Sequence, residues 1–323
     1  MAGDPHSLIE GMAIAGYVVG ASKGYIYLRY EYPYIFPVLE NAIRDARAAG
    51  FLGDHIFGSD FSFDISVVSG GGAYVCGEET ALLESIEGKR GEPRFKPPYP
   101  GTSGLYGCPT LINNVESLVT IPPIVLNGGA WYESFGLGEH HGTKIFTLSG
   151  NLVNRGVFEF PRGTNLRQLI YEVGGGCPGG RQLQGVQTGG ASGNIINANM
   201  IDIPLDIDDC SAAGATFGAG DIMVFDDSKD VLEIVENLME FFSHESCGKC
   251  TPCREGNTRL LQLIRKIRNG EGTLADLDTL EDLSETMMDC SLCGLGQASP
   301  SPVVSTLRNF RNDYLSKIEG GLK

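Results

Sequence analysis

Cys247-Gly248-Lys249-Cys250-Thr251-Pro252-Cys253 is the stretch on which the reading of this chain turns. Three cysteines at two-residue spacing can each take one corner of a cubane iron–sulfur cluster, and a distant fourth thiolate, Cys290 or Cys293, completes such a site. Gly248, Lys249 and Pro252 suit a tight non-helical loop with amides free for the cluster sulfurs. Lys249 and Arg254 add positive charge, which raises the potential of a dianionic cluster. The same residues allow a second reading. Cys250 with Cys253 and Cys290 with Cys293 form two C-x2-C pairs, the spacing of a structural zinc site. Zinc leaves Cys247 idle, a cluster leaves one of Cys290 and Cys293 idle, and spacing alone keeps both open.

Around this stretch the pattern is helical. Leu232–Phe242, Glu255–Arg268, Leu274–Met288 and Pro302–Ile318 repeat apolar residues at helix period. They read as a four-helix bundle over 229–323, with cysteines at the first and last junctions. Upstream, Lys144–Ser149, Gly156–Phe160, Leu183–Thr188 and Asp221–Phe225 read as strands, with Asn165–Val173 an amphipathic helix. That order fits a small β-grasp domain over 135–228.

The first 134 residues read as α/β. Helical patterns at His6–Ser22, Tyr34–Ala49, Thr80–Glu87 and Leu111–Val125, the last interrupted at Pro122-Pro123, alternate with strands at Tyr25–Tyr30 and Phe63–Val68. Between strand and helix lies Gly70-Gly71-Gly72-Ala73-Tyr74-Val75-Cys76-Gly77-Glu78-Glu79-Thr80. It is not G-x-G-x-x-G. The layout still lets backbone amides approach an anionic ligand, and a carboxylate there can accept from ribose hydroxyls while repelling a 2′-phosphate. Arg94-Phe95-Lys96-Pro97-Pro98-Tyr99-Pro100 offers cations and an aromatic face for a nucleotide.

Composition narrows the class. The 323 residues are 42% apolar and 20% charged, with a net charge of −16 that argues against nucleic acid or an anionic membrane surface as partner. No stretch is long and apolar enough for a membrane span, and the N-terminus lacks the basic and apolar regions of a signal peptide. Nine cysteines, five of them in the last quarter, fit thiolates on metal in a reducing cytoplasm better than a disulfide framework. Cys76, Cys108, Cys177 and Cys210 are scattered and read as structural.

Together the motifs resemble the NADH-oxidising flavoprotein subunit of complex I and its relatives in formate dehydrogenases and multimeric hydrogenases. The matching residues are Gly72–Glu87, Arg94–Pro100, Thr110–Leu118 with Asn113-Asn114-Val115-Glu116, Glu245–Gly256, and Leu292–Gly296 with Pro302 beyond. The run Leu292–Tyr314 is closer to the hydrogenase-associated members. The resemblance implies a [4Fe–4S] cluster whose last ligand is the cysteine of Cys293-Gly294-Leu295-Gly296, so that Cys247, Cys250, Cys253 and Cys293 bind it and Cys290 is extra. It implies a partial Rossmann-like FMN/NADH domain, with flavin contacts from Gly72, Tyr74, Gly77, Glu78, Asn113 and Asn114. Glu79 then faces the NADH ribose, with Lys96 and Tyr99 bordering the nucleotide. The middle domain resembles the family's soluble-ligand-binding β-grasp (SLBB) module.

The implied function is NADH oxidation through FMN to the cluster and on to partner subunits, with no side chain needed as a nucleophile. The implied partners are a thioredoxin-like [2Fe–2S] subunit and a further iron–sulfur or hydrogenase subunit. One departure stands out: the family's G-R-G-G-A-G-F and N-A-D-E segments are missing, so the chain is expected to begin partway through the flavin domain. The alternative reading is therefore a truncated, non-catalytic electron-relay and docking module.

Overall fold

The computed structural model describes residues 1–320, which divide between two units, Met1–Trp131 and Tyr132–Lys323. The first is mixed α/β. Helix α1 (Pro5–Val19) starts where the Asp4 carboxylate accepts from the Ser7 amide and ends at Gly20, whose φ of +72° closes the helix at little steric cost. Strand β1 (Lys23–Leu28) lies parallel to β2 (Asp64–Ser69), and α2 (Phe36–Ala48) connects them. Parallel pairing demands such a crossover. Leu8, Ile26, Leu28, Leu39, Ile43 and Ile65 form the core between them.

After β2 come the glycine loop and α3 (Glu79–Ile86), then α4 (Val115–Val119), α5 (Ile121–Asn127) and the short α6 (Gly129–Glu133). The helix expected over Leu111–Val125 begins only at Val115, and its break falls at Thr120 instead of at the prolines. Pro122 and Pro123 sit in the first turn of α5, where a missing N–H leaves no hydrogen bond unmade.

In the second unit β3 (Thr143–Gly150), β4 (Gly156–Pro161), β5 (Leu183–Thr188), β6 (Ile195–Asn197) and β7 (Asp221–Asp226) form one sheet in the order β4-β3-β7-β5-β6. Only β3 and β7 run parallel; the other neighbours are antiparallel. α7 (Leu166–Gln168) continues as a π turn over Leu169–Val173 and buries Leu166, Leu169 and Ile170 with Phe146, Val186 and Val224. The short β6 and α8 (Ile207–Ala212) had no clear signature in the sequence.

The C-terminal helices are α9 (Val231–Glu245), α10 (Thr251–Arg268), α11 (Leu274–Cys290), α12 (Gly294–Ala298), α13 (Ser301–Asn309) and α14 (Arg311–Gly320). They share a core of Val235, Met239, Phe242, Leu260, Ile264, Leu280, Val303 and Tyr314, which also takes in Ile195 and Phe225 of the sheet. The single helix expected over Pro302–Ile318 is two. Its break is at Phe310, buried with its ring centroid 6.2 Å from that of Phe225. The exposed edge that β6 would otherwise present is satisfied by α13: Ser305 Oγ accepts from the Ile195 amide at 2.9 Å, and Asn309 Nδ2 donates to the Ile195 carbonyl at 2.8 Å. Among the described residues no helix is long and apolar enough to cross a membrane.

Candidate functional site

The thiol site is built at two helix starts. Cys250 is the N-cap of α10 and Cys253 lies in its first turn, so Pro252 belongs to the helix and not, as expected from sequence, to the loop. Pro252 is tolerated there for the same reason as in α5. Gly248 turns the preceding loop with φ of +78°, and Arg254 Nη1 donates to its carbonyl at 2.6 Å. Arg254 thus pins the loop by a directed bond as well as adding charge. On the other side, Cys293 is the N-cap of α12. Gly296 lets α12 approach closely: a Cβ there would lie 2.9 Å from Cys253 Cβ and 2.7 Å from Ser291 Cβ.

Cys253 is buried and is the centre of the group. Burial pushes its thiol up to about 11; a hydrogen bond with Ser246 acts in the opposite direction, and the neighbouring thiols of Cys250, Cys293 and Cys247 add to the rise. Those three neighbours are the other expected ligands. Cys290 is exposed at the end of α11. Among the described residues no group of three or more His, Cys, Asp or Glu side chains converges as a site for a single metal ion. The donor set is nonetheless one that suits iron and inorganic sulfide: four soft thiols, with the positive end of an 18-residue helix directed at them. The Cys253 thiol, held protonated by burial, loses its proton when metal binds.

In the first unit, Gly71, Gly72, Tyr74 and Gly77 are exposed. A Cβ at Gly71 or Gly77 would meet nothing within 4 Å, so backbone there faces open space of the kind a flat ring can occupy. Tyr30 borders the same loop, its Cβ 3.7 Å from the position a Cβ would take on Gly72, and sequence reading did not single it out.

Glu78 is the N-cap of α3: one carboxylate oxygen accepts from the amides of Thr80 and Ala81, both at 2.9 Å. Those two leading amides are therefore satisfied by the chain's own carboxylate. Lys96 Nζ donates to Glu78 at 3.1 Å and Glu79 at 2.6 Å, bringing three of the expected residues together. Tyr99, three residues on, is 61% exposed. Arg94 is not an available cation. It is held by Glu84, by Glu87 at 2.9 Å and by the Gly104 carbonyl at 2.9 Å. Asn113 and Asn114 are exposed on a separate turn, where Asn114 Oδ1 caps α4 by accepting from the Glu116 amide at 2.8 Å.

Two family models match separate stretches of the chain. The family described as the Nuo51 FMN-binding domain matches residues 1–123, and the NADH-ubiquinone oxidoreductase-F iron-sulfur binding region matches residues 233–317. The F component of the NADH-quinone oxidoreductase of Mycobacterium tuberculosis is 43% identical over 321 residues, covering 99% of this chain and 72% of that one. The chain belongs to the NADH-ubiquinone oxidoreductase-F family. The NADP-reducing hydrogenase subunit HndC of Solidesulfovibrio fructosivorans is 46% identical over 317 residues, 98% of this chain and 65% of the relative's length. A crystal structure of NAD+-reducing [NiFe]-hydrogenase in the H2-reduced state superposes with a TM-score of 0.87 at 38% identity, covering 97% of this chain and 52% of that one.

Both the glycine-loop residues and the thiols lie inside the stretches that match the family's flavin and iron–sulfur regions. Two residues at the thiol site escaped sequence reading, Ser246 and Asn257. Asn257 follows Cys253 by four positions and so shares its helix face. Starting the helix at Glu255 hid that spacing. The signal that could have found it is Pro252, which as a first-turn residue places the helix start at Thr251.

Proposed function

We propose that this chain is the cofactor-carrying part of an NADH-oxidising flavoprotein, taking electrons from NADH through FMN to a [4Fe–4S] cluster and on to partner subunits. The observation that carries the reading is the thiol group: Cys247, Cys250 and Cys293 neighbour the buried Cys253 thiol, while Cys290 is exposed at the end of α11. These four thiolates hold the cluster, and the first turn of α10 supplies a favourable field for its negative charge. When bound, FMN supplies conversion between two-electron and one-electron transfer, and the cluster supplies one-electron carriage.

The remaining roles belong to the side chains. Gly72, Tyr74 and Gly77 give the flavin an open backbone surface and an aromatic edge, with Asn113 and Asn114 as polar contacts. Glu78 fixes the start of α3 and orients Lys96. Glu79 faces the ribose, and Lys96 with Tyr99 borders the nucleotide. Glu79 favours NADH because a 2′-phosphate would meet its charge. The five-stranded sheet is read as the SLBB β-grasp domain over 135–228, supported by its order with a parallel central pair. Residues 1–134 are read as the FMN/NADH-binding α/β domain. Residues 229–323 are read as the four-helix bundle, its last helix broken at Phe310. The partners are a thioredoxin-like [2Fe–2S] subunit and a further iron–sulfur or hydrogenase subunit, and the assembly is cytoplasmic.

The test is a visible spectrum of the chain, purified without oxygen, before and after NADH. Flavin bands over a broad brown absorbance, bleached by NADH, support the reading. Brown colour bleached only by dithionite reduces it to an electron-relay module.

A further inference from the structure

Asn257 is fully buried on α10, one turn after Cys253. Its amide nitrogen donates to the Cys253 carbonyl at 2.9 Å and to the Cys253 sulfur at 3.4 Å. Among the described residues its carbonyl oxygen has no hydrogen-bond partner. The orientation is forced, because turning the amide over would set an oxygen against two acceptors. A buried amide that leaves its oxygen unpaired is costly, and an apolar side chain of similar size would avoid the cost. What the amide gains is a bond to the Cys253 carbonyl and a second to its sulfur.

Ser246 approaches the same sulfur from the loop. Its hydroxyl lies 3.3 Å from Cys253 Sγ and accepts from the Gly248 amide at 3.3 Å. A thiolate has no proton to give, so with Cys253 ionised the hydroxyl is the donor. Two donors therefore converge on the most buried thiol of the four.

We propose that Asn257 and Ser246 are positioning residues that hydrogen-bond the Cys253 ligand sulfur and raise the reduction potential of the cluster. The proposal rests on the cluster reading above. Reduction adds one electron from a low-potential donor such as dithionite, with no bond made or broken and no proton taken up. It turns a dianion into a trianion, so a donor aimed at a ligand sulfur stabilises the reduced state more than the oxidised one. Two such bonds on one ligand concentrate that effect at Cys253.

The test is a potentiometric titration followed by electron paramagnetic resonance on Asn257→Leu, Ser246→Ala and the double variant, with iron content measured on each. The expected result is an intact cluster with a lower midpoint in each single variant and the lowest in the double. Ser246→Thr, which keeps the hydroxyl, restores the wild-type midpoint. Iron–sulfur stretching bands that shift in D2O are expected in the wild type and lost in the double variant. Intact clusters with unmoved midpoints overturn the proposal and leave the cluster assignment standing. If Asn257→Leu does not fold, the Ser246 pair decides on its own. A wild-type chain that holds zinc and no iron overturns the cluster reading, and this inference with it.

Discussion

Gly296→Ala probes the packing that brings Cys293 to the other thiols. A methyl group there would stand 2.7 Å from Ser291 Cβ, 2.8 Å from Ser291 Oγ and 2.9 Å from Cys253 Cβ. Comfortable carbon contacts lie at about 3.5–4.0 Å, so α12 must withdraw by roughly 0.6–1.3 Å. None of the three atoms is the far end of a flexible chain; each is one or two bonds from backbone. Overpacking of this kind costs about 1–3 kcal/mol. In a unit of this size each kcal/mol lowers the melting temperature by about 2–4 °C, giving a drop of roughly 2–12 °C. Withdrawal also carries Cys293 away, so iron per chain falls alongside. The comparison is Gly294→Ala, whose methyl would meet no protein atom within 4 Å and which is expected to change stability by no more than about 0.5 kcal/mol. Circular dichroism melts and iron assays on both variants decide the matter. A Gly296→Ala chain that melts with the wild type and keeps its iron refutes the close α12–α10 contact.

Ser305→Ala removes the acceptor for the buried Ile195 amide and should cost about 1–3 kcal/mol in urea unfolding; a loss below the error of the fit would mean β6 is not held by α13. Glu87 is held down to about 2 by its hydrogen bond from Lys89 and further by the Tyr106 amide and Arg94, against burial that opposes the shift. Because the folded value lies below the ordinary 4.5, its contribution is complete above pH 4.5 and is lost as pH falls toward 2. Glu87→Gln should therefore flatten the fall in stability across that window, and an unchanged slope would contradict the assignment. Glu79→Gln should raise the NADPH-to-NADH ratio of kcat/KM by roughly tenfold in the assembled enzyme, equivalent to about 1.4 kcal/mol; no gain with NADPH would remove Glu79 from the ribose.

The cysteine spacing and the helix periods carried most of the C-terminal fold, because apolar residues at Val235, Met239, Leu260 and Ile264 repeat as a helix face demands. Where reading failed, a residue had two physical meanings. Pro122 reads as a helix interruption and Pro252 as a loop residue, yet each lies in a first turn. Phe310 reads as another apolar position of a continuous helix, but its burial beside Phe225 divides that helix. Arg94 looks like a nucleotide-binding cation until Glu84 and Glu87, ten and seven residues earlier, fold against it. Glu78 reads as a ligand contact and also works as a helix cap, a role visible only once α3 starts at Glu79. Asn257 was hidden by a boundary error of a few residues, the least certain part of any helix assignment.

The four-thiolate cluster is tested most directly by metal and sulfide analysis of the chain purified without oxygen, read with the electron paramagnetic resonance spectrum after dithionite. The expected result is about four iron and four sulfide per chain and a reduced-cluster signal, lost when Cys293 is changed to serine and kept when Cys290 is. Stoichiometric zinc with no iron, or loss of the cluster on changing Cys290 but not Cys293, would contradict it.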